Sequence, residues 1–111
     1  MFHVYVLHSQ RLDRHYVGQT GNIGERLRFH LEKSTPFTAQ ADDWRLIFLE
    51  RVASRKDAMA LEKRIKQAKS RLAMARYISD ERNLIEMAMP IAEALALTEA
   101  AKPPLTRPRR P

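Results

Sequence analysis

The sequence predicts an α+β fold: a small antiparallel three-stranded sheet covered by helices, with a C-terminal helical appendage. Three observations predict it. Short runs rich in β-branched and aromatic residues stand at 3–7 and 15–18, and a longer one at 44–52. Apolar residues at helical spacing follow the second and third of these runs. The chain of 111 residues has room for one hydrophobic core.

HVYVL and HYVG read as two antiparallel strands, and the polar SQRLDR between them suits a hairpin loop. Asn22 is the N-cap of a helix running to about Lys33, on which Ile23, Leu27 and Leu31 form one buried stripe. STPFTAQADD reads as a loop. WRLIFLERV reads as the central strand, with Leu46, Phe48 and Glu50 on one side and Ile47 and Leu49 on the other. Ser54 followed by Asp57 opens a long basic helix or helix pair with apolar positions Ala58, Leu61, Ile65, Ala68 and Leu72.

Beyond Asp80 the composition turns alanine-rich and acidic. Leu84, Ala88, Ile91 and Leu95 keep helical spacing there, and Pro90 must kink or divide that helix. The expected organisation is a domain over 1–79, a helical appendage over 80–101 and an unstructured basic tail, KPPLTRPRRP, over 102–111. The apolar stripe within 84–97 offers a face either to the domain or to a second copy in a homodimer.

A net charge of +7 favours polyanionic partners, and its placement sharpens the point. Residues 51–76 hold nine basic side chains against two acidic ones, whereas 81–101 hold one against four. A uniformly solubilising coat would not be segregated in this way. Arg55, Lys56, Lys63, Lys66 and Lys69 are the expected contacts to a phosphate backbone, although such a run can also serve only to solvate a helix. Cysteine is absent, which excludes disulfide scaffolds, thiolate zinc sites and cysteine nucleophiles. No apolar run approaches a membrane span and the N-terminus lacks the order of a secretory signal, so a cytoplasmic location is expected.

One ordered set of residues carries chemistry. Tyr5 lies on the first strand, Tyr16-Val17-Gly18 on the second, Gln19 to Asn22 at a turn, Arg26 and His30 one helical turn apart, and Glu62 on a later helix. This set resembles the GIY-YIG nuclease superfamily, most closely its small single-domain bacterial members. His3-Val4-Tyr5 stands where the first triplet would be and Tyr16-Val17-Gly18 where the second would be. Trp44-Arg45-Leu46-Ile47 and the pattern Ala58, Glu62, Ile65-Lys66 extend the likeness to residues 2–78. His3 replaces the first glycine, and Gln19 stands where several members carry a lysine, removing a cation that would help lower a tyrosine pKa.

The resemblance implies a divalent-metal-dependent endonuclease acting on nucleic acid, DNA more than RNA, with Mg²⁺ or Mn²⁺ held at Glu62. Each residue also has a plainer reading. Tyr5 or Tyr16 would assist a water, or either is a half-buried sheet residue. Arg26 offers a planar fork to phosphate oxygens, or is a solvated helix arginine. His30 would bind phosphate, polarise a tyrosine or act as an acid, or is a surface or capping residue. Glu62 can anchor an ion whose shell water and phosphate complete, or merely pair with Lys66 for about 0.3–0.5 kcal/mol. The alternative for the whole chain is a nucleic-acid-binding module that keeps the scaffold with weak or no turnover.

Overall fold

In the computed structural model, which describes residues 1–32, 36–68 and 70–100, a hairpin begins the fold. Strand β1 (Phe2–Ser9) turns into β2 (Arg14–Thr20), pairing antiparallel from His3↔Thr20 to Ser9↔Arg14. Helix α1 (Ile23–Leu31) follows, and a short 3-10 turn (Thr38–Gln40) leads to strand β3 (Arg45–Val52). Helices α2 (Arg55–Lys66) and α3 (Arg71–Ile78) come next, then the two-residue strand β4 (Met89–Pro90) and helix α4 (Ile91–Ala100). The tail over 102–111 and Lys69 lie outside the described residues.

The sheet is α+β in kind and antiparallel, as expected, but it has four strands rather than three, in the order β2-β1-β3-β4. The fourth is short because Pro90 cannot extend a ladder: only Arg45↔Pro90 and Leu46↔Met89 pair. The central strand flanked along its whole length is β1, and its residues are buried on both faces. Tyr5 and Leu7 pack with Leu27 of α1 and with Ile91, Ala94 and Leu95 of α4. Val4 and Val6 pack with Ala58, Leu61 and Ile65 of α2 and Met74 of α3.

Strand β3 does not keep the simple alternation that its sequence suggests. Val6 pairs with Phe48 and Leu7 with Leu46, so Ile47 is an extra residue in a β-bulge. Leu46 therefore shares a face with Leu49, and Ile47 shares the other with Phe48.

Both helix caps are as expected. Asn22 Oδ1 accepts from the Glu25 N–H and Ser54 Oγ from the Asp57 N–H, at 3.0 and 3.1 Å. The stripes shift in phase at their ends. Leu31 is 43% exposed and His30 takes the buried position instead; Leu72 is 67% exposed because α2 stops at Lys66 and α3 restarts with a different phase.

The segment from 80 onward departs most from expectation. It is not helical before Pro90, and α4 begins only at Ile91. Ile91 and Leu95 are buried against this chain's own core, the first of the two faces expected for the stripe, while Ala88 is exposed. Asn83 fastens the segment to the outer edge of β3. Its Oδ1 accepts from the Leu49 and Ile85 N–H groups, and its Nδ2 donates to the Ile47 and Ile78 carbonyls. A buried side-chain amide thus stands in for the neighbouring strand that β4 is too short to provide. No helix among the described residues is long and apolar enough to cross a membrane.

Candidate active site

A cleft of about 560 Å³ opens beside the edge strand β2. Tyr5, Tyr16, Arg26 and Glu62 line it, brought together from β1, β2, α1 and α2, along with Gly18, Gln19 and Lys66. Four of the five residues expected to carry chemistry therefore share one concave surface. His30 is the exception, buried behind Tyr5.

Tyr5 is held from three sides. Its Oη is 2.8 Å from His30 Nε2, and its ring stacks on Tyr16 with centroids 6.2 Å apart. On the third side it covers Gly18, its antiparallel partner, where an added Cβ would stand only 2.5 Å from Tyr5 Oη. A glycine on an edge strand lets an aromatic ring from the adjacent strand lie flat over the backbone. Burial raises the Tyr5 pKa above the ordinary phenol value and Tyr16 adds to the effect; the Arg26 charge opposes it without reversing it. Tyr5 is thus a neutral phenol.

His30 Nδ1 lies 3.3 Å from Thr38 Oγ1, so both ring nitrogens have partners inside the protein. Burial, with the Arg26 charge second, lowers its pKa to about 4. This enclosed imidazole holds the Tyr5 hydroxyl and is not among the residues lining the cleft. Tyr16 is only half-buried, packed edge-on to His30 and tilted against Phe37 at centroid distances of 4.9 and 5.3 Å.

Arg26 emerges beside the buried Ile23 and Leu27 and has no ion-pair partner among the described residues. Glu62 follows the buried Leu61, so its side chain leaves α2 at the border of the core, 18% exposed. Its Oε1 accepts from Lys66 Nζ at 2.8 Å. The metal-anchor and salt-bridge readings of Glu62 therefore describe the same carboxylate. As a donor set, one carboxylate suits an ion that keeps several waters, as Mg²⁺ and Mn²⁺ do, rather than one needing a full protein cage. Among the described residues no three His, Cys, Asp or Glu side chains gather into such a cage.

The expected backbone-binding residues are dispersed. Lys66 lines the cleft, Arg55 sits over the Phe2 ring at 5.8 Å, and Lys56 and Lys63 are exposed. Three lining residues, His15, Phe37 and Met74, were not singled out from the sequence. His15 gives the clearest signal in hindsight: it opposes His8 across the hairpin, with ring centroids 4.6 Å apart. Phe37, a lone aromatic in a polar loop, carries no periodic signal at all. Trp44 is a core residue whose Nε1 donates to the Thr38 carbonyl at 3.0 Å. His3 is buried with neither ring nitrogen bonded among the described residues, and burial lowers its pKa.

No curated protein and no solved structure matches the chain at a level that marks relatedness. The family model of the GIY-YIG catalytic domain matches residues 1–77, a span that contains every residue lining the cleft. The chain therefore belongs to the GIY-YIG family, whose domain has a nuclease-type fold.

Proposed function

We propose that the chain is a divalent-metal-dependent nuclease that hydrolyses phosphodiester bonds in nucleic acid, DNA in preference to RNA. The observation that carries the reading is the shared cleft of Tyr5, Tyr16, Arg26 and Glu62, residues from four separate elements. A core would not collect them: two are charged, and the Arg26 guanidinium has no acidic partner among the described residues.

Arg26 takes the non-bridging oxygens of the scissile phosphate, where its planar fork neutralises charge that grows as water attacks. Tyr16, at the cleft surface, accepts a hydrogen bond from that water and sets its line of approach. Tyr5 stays protonated and fixes Tyr16, while His30 fixes Tyr5. Glu62 is the residue that would hold Mg²⁺ or Mn²⁺. When bound, such an ion supplies Lewis acidity at the phosphate and the leaving oxygen. The new bond joins the water oxygen to phosphorus, the bond to the leaving oxygen breaks, and the proton lost by water is balanced by protonation of that oxygen.

The test is cleavage of single-stranded DNA, duplex DNA and RNA with Mg²⁺ and with Mn²⁺ by the wild type, Glu62→Ala and Arg26→Ala. Each substitution is expected to lower turnover by about a hundredfold or more. Wild-type turnover in both variants would refute the assignment.

A second reading, a binding module with little turnover, is favoured by the high Tyr5 pKa and by the Lys66 ammonium already on Glu62. In that case binding persists in chelator, weakens steeply with salt and is unchanged in Glu62→Ala, while the wild type cleaves nothing.

A further inference from the structure

The basic residues around α2 do not form one ridge. Lys66 faces the cleft, whereas Arg64 emerges on the other flank, toward α3. There Arg64, Gln67, Arg76, Tyr77 and Asp80 line a second open groove of about 360 Å³. Ala68, just beyond the end of α2, lines both depressions, so they meet at a common rim.

The charge in this groove is not cancelled from within. Arg64 and Arg76 have no ion-pair partner among the described residues. Asp80 accepts from the Arg82 backbone N–H, Nε and Nη2 at 2.8, 2.9 and 3.0 Å, so that acid is already matched. Glu50, the other acid nearby, is half-buried and feels both Arg64 and Arg82. Two guanidiniums thus remain for an anion. Tyr77 follows Arg76 directly in the chain and lines the same groove, its ring held perpendicular to Phe48 at a centroid distance of 6.4 Å.

We propose that this groove binds the single strand of nucleic acid that continues beyond the reacting phosphate, with Arg64 and Arg76 on backbone phosphates and Tyr77 against a base. Guanidiniums that share a groove with an anchored aromatic match a strand whose bases are free to turn outward; a duplex keeps its bases stacked inward. The path of the strand rests on the nuclease reading of the cleft, but the groove contacts need neither metal nor turnover.

The experiment measures binding of single-stranded oligonucleotides by fluorescence anisotropy in chelator over a salt series. One probe has about fifteen nucleotides, enough to cross both depressions, and the other about four, enough for one. The variant is the double substitution Arg64→Gln with Arg76→Gln, both exposed residues, so the fold is retained. The long probe should bind about tenfold more weakly to it, with a log–log salt slope shallower by about 1.4, the contribution of two phosphate contacts. The short probe should bind unchanged when Arg26 is intact. Unaltered affinity and slope for the long probe would overturn the proposal, as would an equal loss on both probes when Arg26→Gln also weakens both, which signals general attraction rather than a groove. Arg26→Gln separates the two readings: if the cleft does not take nucleic acid, that variant changes nothing while the groove variant still weakens the long probe.

Discussion

Replacing Gly18 by alanine should break the arrangement that holds Tyr5. The new Cβ would lie 2.5 Å from Tyr5 Oη, 2.7 Å from Cζ and 3.0 Å from Cε1, all well inside contact distance. Gly18 has no positive φ, so the cost is steric and not a matter of backbone strain. Tyr5 is 1% exposed and its hydroxyl is committed to His30, so the ring can retreat only by giving up that bond. Overpacking a closed core costs about 1–3 kcal/mol. Stranding a buried hydrogen-bonding group adds about 1–3 kcal/mol. The expected loss of about 2–6 kcal/mol is a large share of the roughly 5–15 kcal/mol that keeps a domain folded.

Urea unfolding of Gly18→Ala, Tyr5→Phe and the double variant is the assay. Removing the Tyr5 hydroxyl deletes the nearest clashing atom, so the double variant should be less destabilised than the sum of the singles by about 0.5–2 kcal/mol. Strict additivity, or a Gly18→Ala protein within about 0.5 kcal/mol of wild type, would refute the reasoning.

His30 titrates near 6.5 when unfolded and at about 4 when folded, so its burial favours the folded state fully above that upper value. The contribution is lost as pH falls toward 4, on the order of 3 kcal/mol across the window. Stability measured between those limits should therefore fall less steeply in His30→Gln than in the wild type, and identical profiles would contradict this. Asn83→Ala strands four backbone groups at the edge of β3 and should cost about 3–5 kcal/mol by chemical denaturation, whereas a loss below about 1 kcal/mol would show that the edge is satisfied otherwise. Lys66→Ala should change stability by no more than about 0.5 kcal/mol, because its pair with Glu62 joins neighbours on one helix face and Lys66 itself is 57% exposed; a larger thermal shift would mean that the pair supports the fold.

What could be read from the sequence follows from the range of each signal. The hairpin, both caps and the buried positions of α2 depend on neighbours a few residues apart, and composition or periodicity encodes them directly. The bulge at Ile47 is invisible in WRLIFLERV, because only the register against β1 reveals that one residue is unpaired. Asn83 is not singled out by the sequence of the expected appendage, since a side chain that replaces a strand has no repeating pattern. The ordered set of tyrosines, arginine and glutamate did anticipate one cleft. What it missed was the difference between the tyrosines. That difference arises because His30, 25 residues away in sequence, bonds Tyr5 in the interior, while Tyr16 stays at the surface. Likewise, nine basic residues between 51 and 76 suggested one ridge, but the 3.6-residue turn of α2 sends Arg64 and Lys66 to opposite flanks.

The account depends most on Glu62 acting in the cleft on a bound strand. The most direct measurement is single-turnover cleavage by Glu62→Gln, with oligonucleotide affinity determined on the same samples. We predict a rate at least about a hundredfold below wild type with affinity changed by less than about threefold, the signature of a group that acts in the transition state and not in binding. Cleavage by Glu62→Gln at the wild-type rate would contradict the account.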